Sequence, residues 1–467
     1  MKKYLTVFAV AAALSFAGCS SGESVMTGGS SAPSALNAPS GSSVTAGGSE
    51  SAAGSSRFEG TDIGGKKESF FDKIGGLFDE GAKGVTDGFF DADYAVAEDA
   101  ATTAKPSEAG GDYMGVDILP DDCVISDPPV IPPQSGLLTG GEWNDNSHWA
   151  DWNALYGSQE DWKGYKNDWK IADNYRLTVT VKSDGQPFEG AKVKWGDGMS
   201  AVTDNKGKAY LFSDSDVPPS SVYVSGNGDV AAAMQVDWVP NEHDLTLSAD
   251  IDGEVSPIKQ KLDLMIMCDT TGSMGDELEY LKVELEDIVK SIKSQNANIP
   301  TRVSVNFYRD SEDEYEVRQF PFSENIDEVA EAIRDQSANG GGDFPEAVHT
   351  ALDSAVNKHD WDEDSVKIMF LVLDAPPHDD AQIIDSVNKY VAQAAEKGIR
   401  IVPIASSGID KSTEYLLRAM AFTTGGTYTF LTNDSGVGYG HIEPTVGAYN
   451  VEKLKDMMIR IVNGYLS

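Results

Sequence analysis

Leu264–Glu277 reads LMIMCDTTGSMGDE. An apolar run with a cysteine stops abruptly at Asp269; two threonines and a glycine follow, and more acid comes after Ser273. The apolar part predicts a buried strand, the polar part a loop, and the residues just beyond it the start of a helix. Asp269, Thr271 and Ser273 then occupy alternate positions at the tip of that strand. Two chemistries use such a set: a hard cation held by a carboxylate and hydroxyls, or an aspartate nucleophile for phosphoryl transfer.

Outward from this stretch the pattern repeats. LDLMIMCD, RVSVNFYRD, VKIMFLVLD and IRIVPIAS are apolar runs of strand length, and YEVRQFPF reads as an added edge strand. GDELEYLKVELEDIVKSIK, PEAVHTALDSAV, DAQIIDSVNKYVAQAAEKG and STEYLLRAMAFTT carry a helical period. Such alternation over residues 257–467 predicts an α/β doubly wound, mainly parallel sheet covered by helices on both faces. Sites in that architecture form at the carboxyl ends of strands. There the sequence places Asp269, Thr271 and Ser273, then Asp374 after MFLVL, while NGGGDFPEA brings Asp343. Arg309 and Asp310 end another strand and His378 follows two prolines; these three are read as supporting or loop residues.

The motifs resemble one family. Asp269, Thr271 and Ser273 match the D-x-S/T-x-S motif of von Willebrand factor type A domains, and Asp374 matches the second aspartate of their metal-ion-dependent adhesion site. DTTGSMGDELE, YRD, GGGDFPEAV and DAPPH resemble, in order, motifs of the hemicentin-like and alpha-kinase-associated subgroup. The resemblance covers Leu262 to Ser467. It implies a divalent cation, magnesium first and calcium or manganese next, held by Asp269, Thr271, Ser273 and Asp374. It also implies a protein ligand whose Asp or Glu completes the shell, and a last helix, VEKLKDMMIRIVNGYL, able to shift when ligand arrives. One position departs: Gly342 aligns with a threonine of integrin-like domains, and its neighbour Asp343 is expected to substitute or to hold a metal-bound water.

The competing chemistry has less support. DTTGS resembles the D-K-T-G-T loop of P-type ATPases and aspartyl-phosphate phosphatases, with Asp269 as nucleophile, but Thr270 stands where they carry lysine. No H-E-x-x-H, G-x-S-x-G or phosphate-loop motif occurs. The chain is therefore read as a non-enzyme that mediates adhesion or envelope assembly. The alternative is a metal-free or structurally metal-bound scaffold of an envelope complex.

The N-terminal half reads differently. Lys2 and Lys3 precede an apolar run from Leu5 to Leu14, giving residues 1–18 the form of a leader peptide. LSFAGCSS resembles the lipobox of bacterial lipoproteins, with Phe16 in place of the usual leucine, which implies lipid attachment at Cys19. The expected location is the cell envelope, at the outer membrane or cell surface, with the lipid as membrane anchor. Residues 19–111 are too rich in Ser, Gly and acid to form a core and are expected to be a disordered tether. Within it, Phe70, Phe71, Ile74, Leu77 and Phe78 at helical spacing suggest a transient helix. Residues 112–173 combine the connector DPPVIPPQ with a segment holding Trp143, Trp149, Trp152, Trp162 and Trp169. Those offsets place aromatic groups on single helix faces, and packing against the next domain is preferred to an exposed aromatic platform. Residues 174–250 switch to period two, predicting a small antiparallel β-sandwich that resembles bacterial Ig-like and carboxypeptidase-regulatory-like modules. Cys123 and Cys268 are expected to be unpaired thiols.

Bulk composition agrees. A chain of 467 residues exceeds one ordinary core. Its 36 basic against 75 acidic residues, net charge −39, exclude non-specific nucleic-acid binding and suit a surface that attracts divalent cations.

Overall fold

The computed structural model describes residues 61–63, 132–226, 229–239, 241–251, 261–438 and 440–467. The leader, Cys19, Cys123 and the Phe70–Phe78 patch lie outside them. Of the expected tether only Thr61–Ile63 is described, and it is a strand, β1.

In chain order there follow β2 (Thr139–Trp143), α1 (Trp149–Ser158) and α2 (Trp162–Trp169). The strands β3 (Tyr175–Ser183), β4 (Gln186–Pro187), β5 (Lys192–Trp195), β6 (Ser200–Val202), β7 (Lys208–Ser213), β8 (Ser221–Gly226), β9 (Asp229–Gln235) and β10 (Asp244–Asp250) come next. The remainder alternates: β11 (Leu262–Asp269), α3 (Leu278–Gln295), β12 (Thr301–Tyr308), β13 (Val317–Gln319), α4 (Ile326–Arg334), α5 (Val348–Asn357) and β14 (Val366–Leu373). It closes with α6 (Ala381–Lys397), β15 (Ile399–Ala405), α7 (Lys411–Thr424), β16 (Tyr428–Leu431), β17 (Glu452–Lys453) and α8 (Leu454–Leu466).

One nine-stranded sheet, ordered β1-β13-β12-β11-β14-β15-β16-β2-β17, forms the frame. The five strands from β12 to β16 in that order are parallel; β1, β13, β2 and β17 join antiparallel. Every residue of β11 and β14 is buried, which is why their sequences read as nearly continuous apolar runs, interrupted inside only by Asp263 and Lys367. The pleat sends alternate side chains to opposite faces. Leu264, Ile266 and Cys268 join a core with α3, α4 and α8, while Met265 and Met267 join one with α5, α6 and α7. Cys268 is a buried free thiol.

The described part of residues 112–173, from residue 132 on, contributes a strand and two helices. β2 sits inside the sheet between β16 and β17. Its glycines permit that approach: a Cβ on Gly140 would lie 2.7 Å from the Phe430 carbonyl oxygen, and one on Gly141 would lie 2.6 Å from the Phe430 ring. Trp149, Trp152, Trp162 and Trp169 are buried, spent on packing against α7 and its neighbours. Trp152 and Trp162 each lie 5.0 Å from the Tyr415 ring, and Trp149 lies 5.3 Å from Phe422. Arg418 of α7 threads between these rings and makes a two-pronged ion pair with buried Asp145 at 3.0 and 2.6 Å.

Residues 175–250 form two four-stranded sheets, one built on β3 with β10, β4 and β7, the other ordered β6-β5-β8-β9. Leu177 and Val179 of one and Val193, Trp195 and Val222 of the other share a buried cluster. The expectation of purely antiparallel pairing fails at β10, which runs parallel to β3 with Leu245 opposite Leu177. The expected edge strand, β13, is likewise covered, by β1. No helix among the described residues is long and apolar enough to cross a membrane.

Candidate metal centre

The sheet order reverses at β11: the chain moves from β11 to β12 on one side, then returns to β14 on the other. At such a switch point the loops beyond the strands diverge and leave a crevice. Asp269 ends β11 and Asp374 follows β14, so the two aspartates flank that crevice.

Asp269 is fully buried. Its Oδ1 accepts hydrogen bonds from the Thr271 amide at 2.8 Å and the Thr271 hydroxyl at 2.7 Å, so the chain folds back on its own carboxylate. The Thr271 hydroxyl is also 3.1 Å from that of Ser273. Ser273 stands exposed in a short 3-10 turn, Gly272–Asp276, that leads into α3, and its hydroxyl bonds Asp374. Between the ligand-type residues, Thr270 points the other way and anchors the turn, its hydroxyl donating to the Tyr308 carbonyl at 3.0 Å.

A third carboxylate joins them, and it is Glu346. Its amide donates to the Pro376 carbonyl at 2.8 Å, stitching the glycine loop to the loop after β14. The side chain is buried, and a Cβ on Gly341 would lie 2.9 Å from its Oε1 and 3.4 Å from the Thr271 Cβ. Asp269 Oδ2, Glu346 Oε2 and Asp374 Oδ1 are all buried without a protein hydrogen-bond partner. Such oxygens are costly unless something positive compensates them.

The acid strengths follow. Burial raises the Asp269 carboxyl above its ordinary range, against the two Thr271 hydrogen bonds and the neighbouring Tyr308 hydroxyl, which lower it. Burial also raises Asp374, and the nearby Asp269 charge adds to this. Glu346 is pushed up to about 9, first by burial and then by the charges of Asp269, Asp310 and Asp374. Three carboxyls that disfavour each other's ionisation fit a divalent cation, which would restore all three to the charged form. Among the described residues no three His, Cys, Asp or Glu side chains are preassembled as a metal cluster. Beside the carboxylates stand the hydroxyls of Thr271 and Ser273, which are oxygen donors of another kind.

The remaining sequence candidates separate. Asp343 is exposed, three residues before Glu346. Arg309 is buried, stacks 4.6 Å from the Tyr315 ring and donates to the carbonyls of Thr270 (3.2 Å) and Ser337 (2.9 Å), tying three loops together. Asp310 Oδ1 lies 2.9 Å from His378 Nε2, linking the loops after β12 and β14. Asp313, unforeseen from sequence, accepts from the amides of Asp310 and Gly341. Gly340 beside it has φ +82°, and a Cβ there would meet the Asp313 carboxylate at 2.4 Å, so only glycine serves.

Comparison with known proteins bears on the fold of this part of the chain. The von Willebrand factor A domain family matches residues 263–439. An ariadne-like RING finger protein of Acanthamoeba polyphaga mimivirus is 30% identical over 190 residues, 36% of this chain and 18% of that protein. The alpha-protein kinase vwkA of Dictyostelium discoideum is 25% identical over 118 residues, 25% of this chain and 19% of that protein. The chain thus spans less than a fifth of the length of these relatives. The family match takes in the parallel strands, the switch point and the whole candidate centre, and residues 263–439 are a von Willebrand factor A domain.

Proposed function

We propose that this chain is a binding protein whose von Willebrand factor A domain holds a divalent cation and captures a carboxylate of a protein partner, in adhesion or envelope assembly. Asp269, Thr271, Ser273 and Asp374 are its ligands, directly or through water. In this reading Glu346, instead of Asp343, is the carboxylate of the glycine loop. The observation that carries it is the meeting, at the switch point, of three buried carboxylate oxygens without protein partners and two hydroxyls. An all-oxygen donor set suits magnesium, with calcium or manganese as substitutes. The cation supplies an open position at which an incoming Asp or Glu binds. Thr271 orients Asp269, and Arg309 and Asp313 hold the loops in register around it.

Binding is preferred to phosphoryl transfer because Asp269 is enclosed and one of its oxygens already accepts two hydrogen bonds. That suits a ligand better than a nucleophile open to phosphorus. A lipid on Cys19 would place the chain at the cell envelope; this part of the reading rests on the leader-like sequence alone.

The test is thermal unfolding of the full chain in EDTA, Mg²⁺, Mn²⁺ or Ca²⁺, beside Asp269→Ala and Glu346→Gln. An ion that binds only the folded chain raises its melting temperature by mass action. The rise is expected to vanish in Asp269→Ala and to shrink in Glu346→Gln. No rise with any ion would leave a metal-free scaffold.

A further inference from the structure

The loops that ring the candidate centre have an extreme charge balance. Residues 269–277, 309–316, 337–347, 374–380 and 406–410 carry fourteen Asp and Glu, against a single arginine, no lysine and His378. That arginine, Arg309, is buried, donates to Thr270 and Ser337, and is ion-paired with Glu314 at 3.6 Å. Glu312, Glu314, Asp343, Asp379, Asp380 and Asp410 are exposed. A divalent cation offsets only two of these charges. The floor of the ring holds the buried, unpartnered oxygens of Asp269, Glu346 and Asp374, so this is not merely a solvated acidic surface. Phe344 lies on the same rim, 45% exposed, between exposed Asp343 and buried Glu346.

These facts conflict with capture of an isolated acid. A lone carboxylate approaching the cation would be repelled by every exposed acid around it, and low-dielectric walls focus that field. A carboxylate flanked by lysines or arginines meets the cation at its centre and the acids at its edges. We propose that the partner presents its Asp or Glu from within a basic segment, the acidic ring selecting the basic flanks and Phe344 offering an apolar contact. This rests on the cation-and-carboxylate reading above and adds the partner's chemistry to it. Complementary charge of this kind governs encounter rate and partner choice more than final affinity.

Three labelled peptides of equal length test it against the full chain by fluorescence anisotropy: one Glu among lysines, one Glu among serines, and one Gln among lysines. Each is titrated in Mg²⁺ and in EDTA, at low and high salt. The Glu-in-lysine peptide is expected to bind best in Mg²⁺, and to weaken about tenfold or more when the lysines, the Glu or the Mg²⁺ is removed. Its affinity should also fall more steeply with salt than that of the Glu-in-serine peptide. In Glu312→Gln/Asp379→Asn/Asp380→Asn, which spares the proposed ligands, the advantage of lysine over serine flanks should drop by about tenfold while the Mg²⁺-induced thermal shift stays. If the serine-flanked peptide binds as tightly in Mg²⁺ as the lysine-flanked one, the selection for basic flanks is wrong and the cation reading survives. If the Gln peptide binds equally well and EDTA changes nothing, the ring attracts basic chains by charge alone and both readings fall. No Mg²⁺-dependent binding of any peptide also overturns the proposal.

Discussion

Asp269, Asp374 and Glu346 place the cost of the site on three side chains. In an unfolded chain such carboxyls ionise near pH 4; in the fold all three are raised, Glu346 to about 9. Between those values the folded chain retains protons that the unfolded chain has released. Stability in EDTA is therefore expected to decline as pH rises from about 4 towards about 9. Saturating Mg²⁺ should flatten that decline, because the cation favours the ionised forms. Glu346→Gln should raise the melting temperature in EDTA at pH 8, by ~2–4 °C for each kcal/mol recovered, while reducing the Mg²⁺ response. A pH-independent melting temperature in EDTA would mean these carboxyls are not raised. The centre was half legible at this scale. D-x-T-x-S is a local pattern, so its geometry travels with the sequence. Glu346 could not be picked out, because an acid after proline reads as an ordinary helix-start residue. Its role depends on the parallel bridge between Glu346 and Pro377, a contact the sequence does not encode.

At the scale of elements, the parallel strands were readable because burial on both faces leaves them mostly apolar, with Asp263, Arg302, Lys367 and Arg400 each at the second position of its strand. β2 was not. TGGEW carries two glycines and looks like a turn, yet those glycines serve a close approach to Phe430. Nor does period two encode direction, so β10 could not be told to run parallel to β3. Beyond β2, α1 and α2 form a clasp around Arg418, whose side chain and that of Asp145 are each 1% exposed. Asp145→Ala strands that guanidinium in an aromatic shell, Glu414 at 3.5 Å being its other acidic neighbour, and is expected to cost ~3–5 kcal/mol. Replacing both partners, Asp145→Leu with Arg418→Met, should recover most of the loss, since desolvated ion pairs often break even against apolar groups. Urea unfolding of the single and double variants decides it. Equal losses in both would show that packing, and not the stranded charge, sets the cost.

For the whole molecule, residues 133–467 belong to one compact unit. The strands from β3 to β10 stand in the chain between β2 with its tryptophan helices and β11, so a cut at the expected boundary before residue 257 would separate β2 from the sheet it joins. A fragment of residues 257–467 would expose the β16 edge, the faces of α7 that bury four tryptophans, and Arg418. It is expected to aggregate or melt without cooperativity, whereas 133–467 should unfold in one calorimetric transition. A 257–467 fragment with an unchanged melting temperature would show that β2 and its helices are dispensable. The direction of β2 matters beyond stability. Because it runs antiparallel to β16, Thr139 lies at the same end of the sheet as the loops bearing Asp269 and Asp374. Ahead of it, Ser135 and Gly136 are strapped to Asp287 and Glu284 of α3. Tension between a captured ligand and the chain preceding Thr139 would thus be applied at one end of the sheet. The seam along β2 would open from Thr139 one hydrogen-bonded pair at a time, a mechanically weak unzipping. The strands bearing Asp269 and Asp374 lie outside that seam, so a pull applied just ahead of Thr139 would not stretch them.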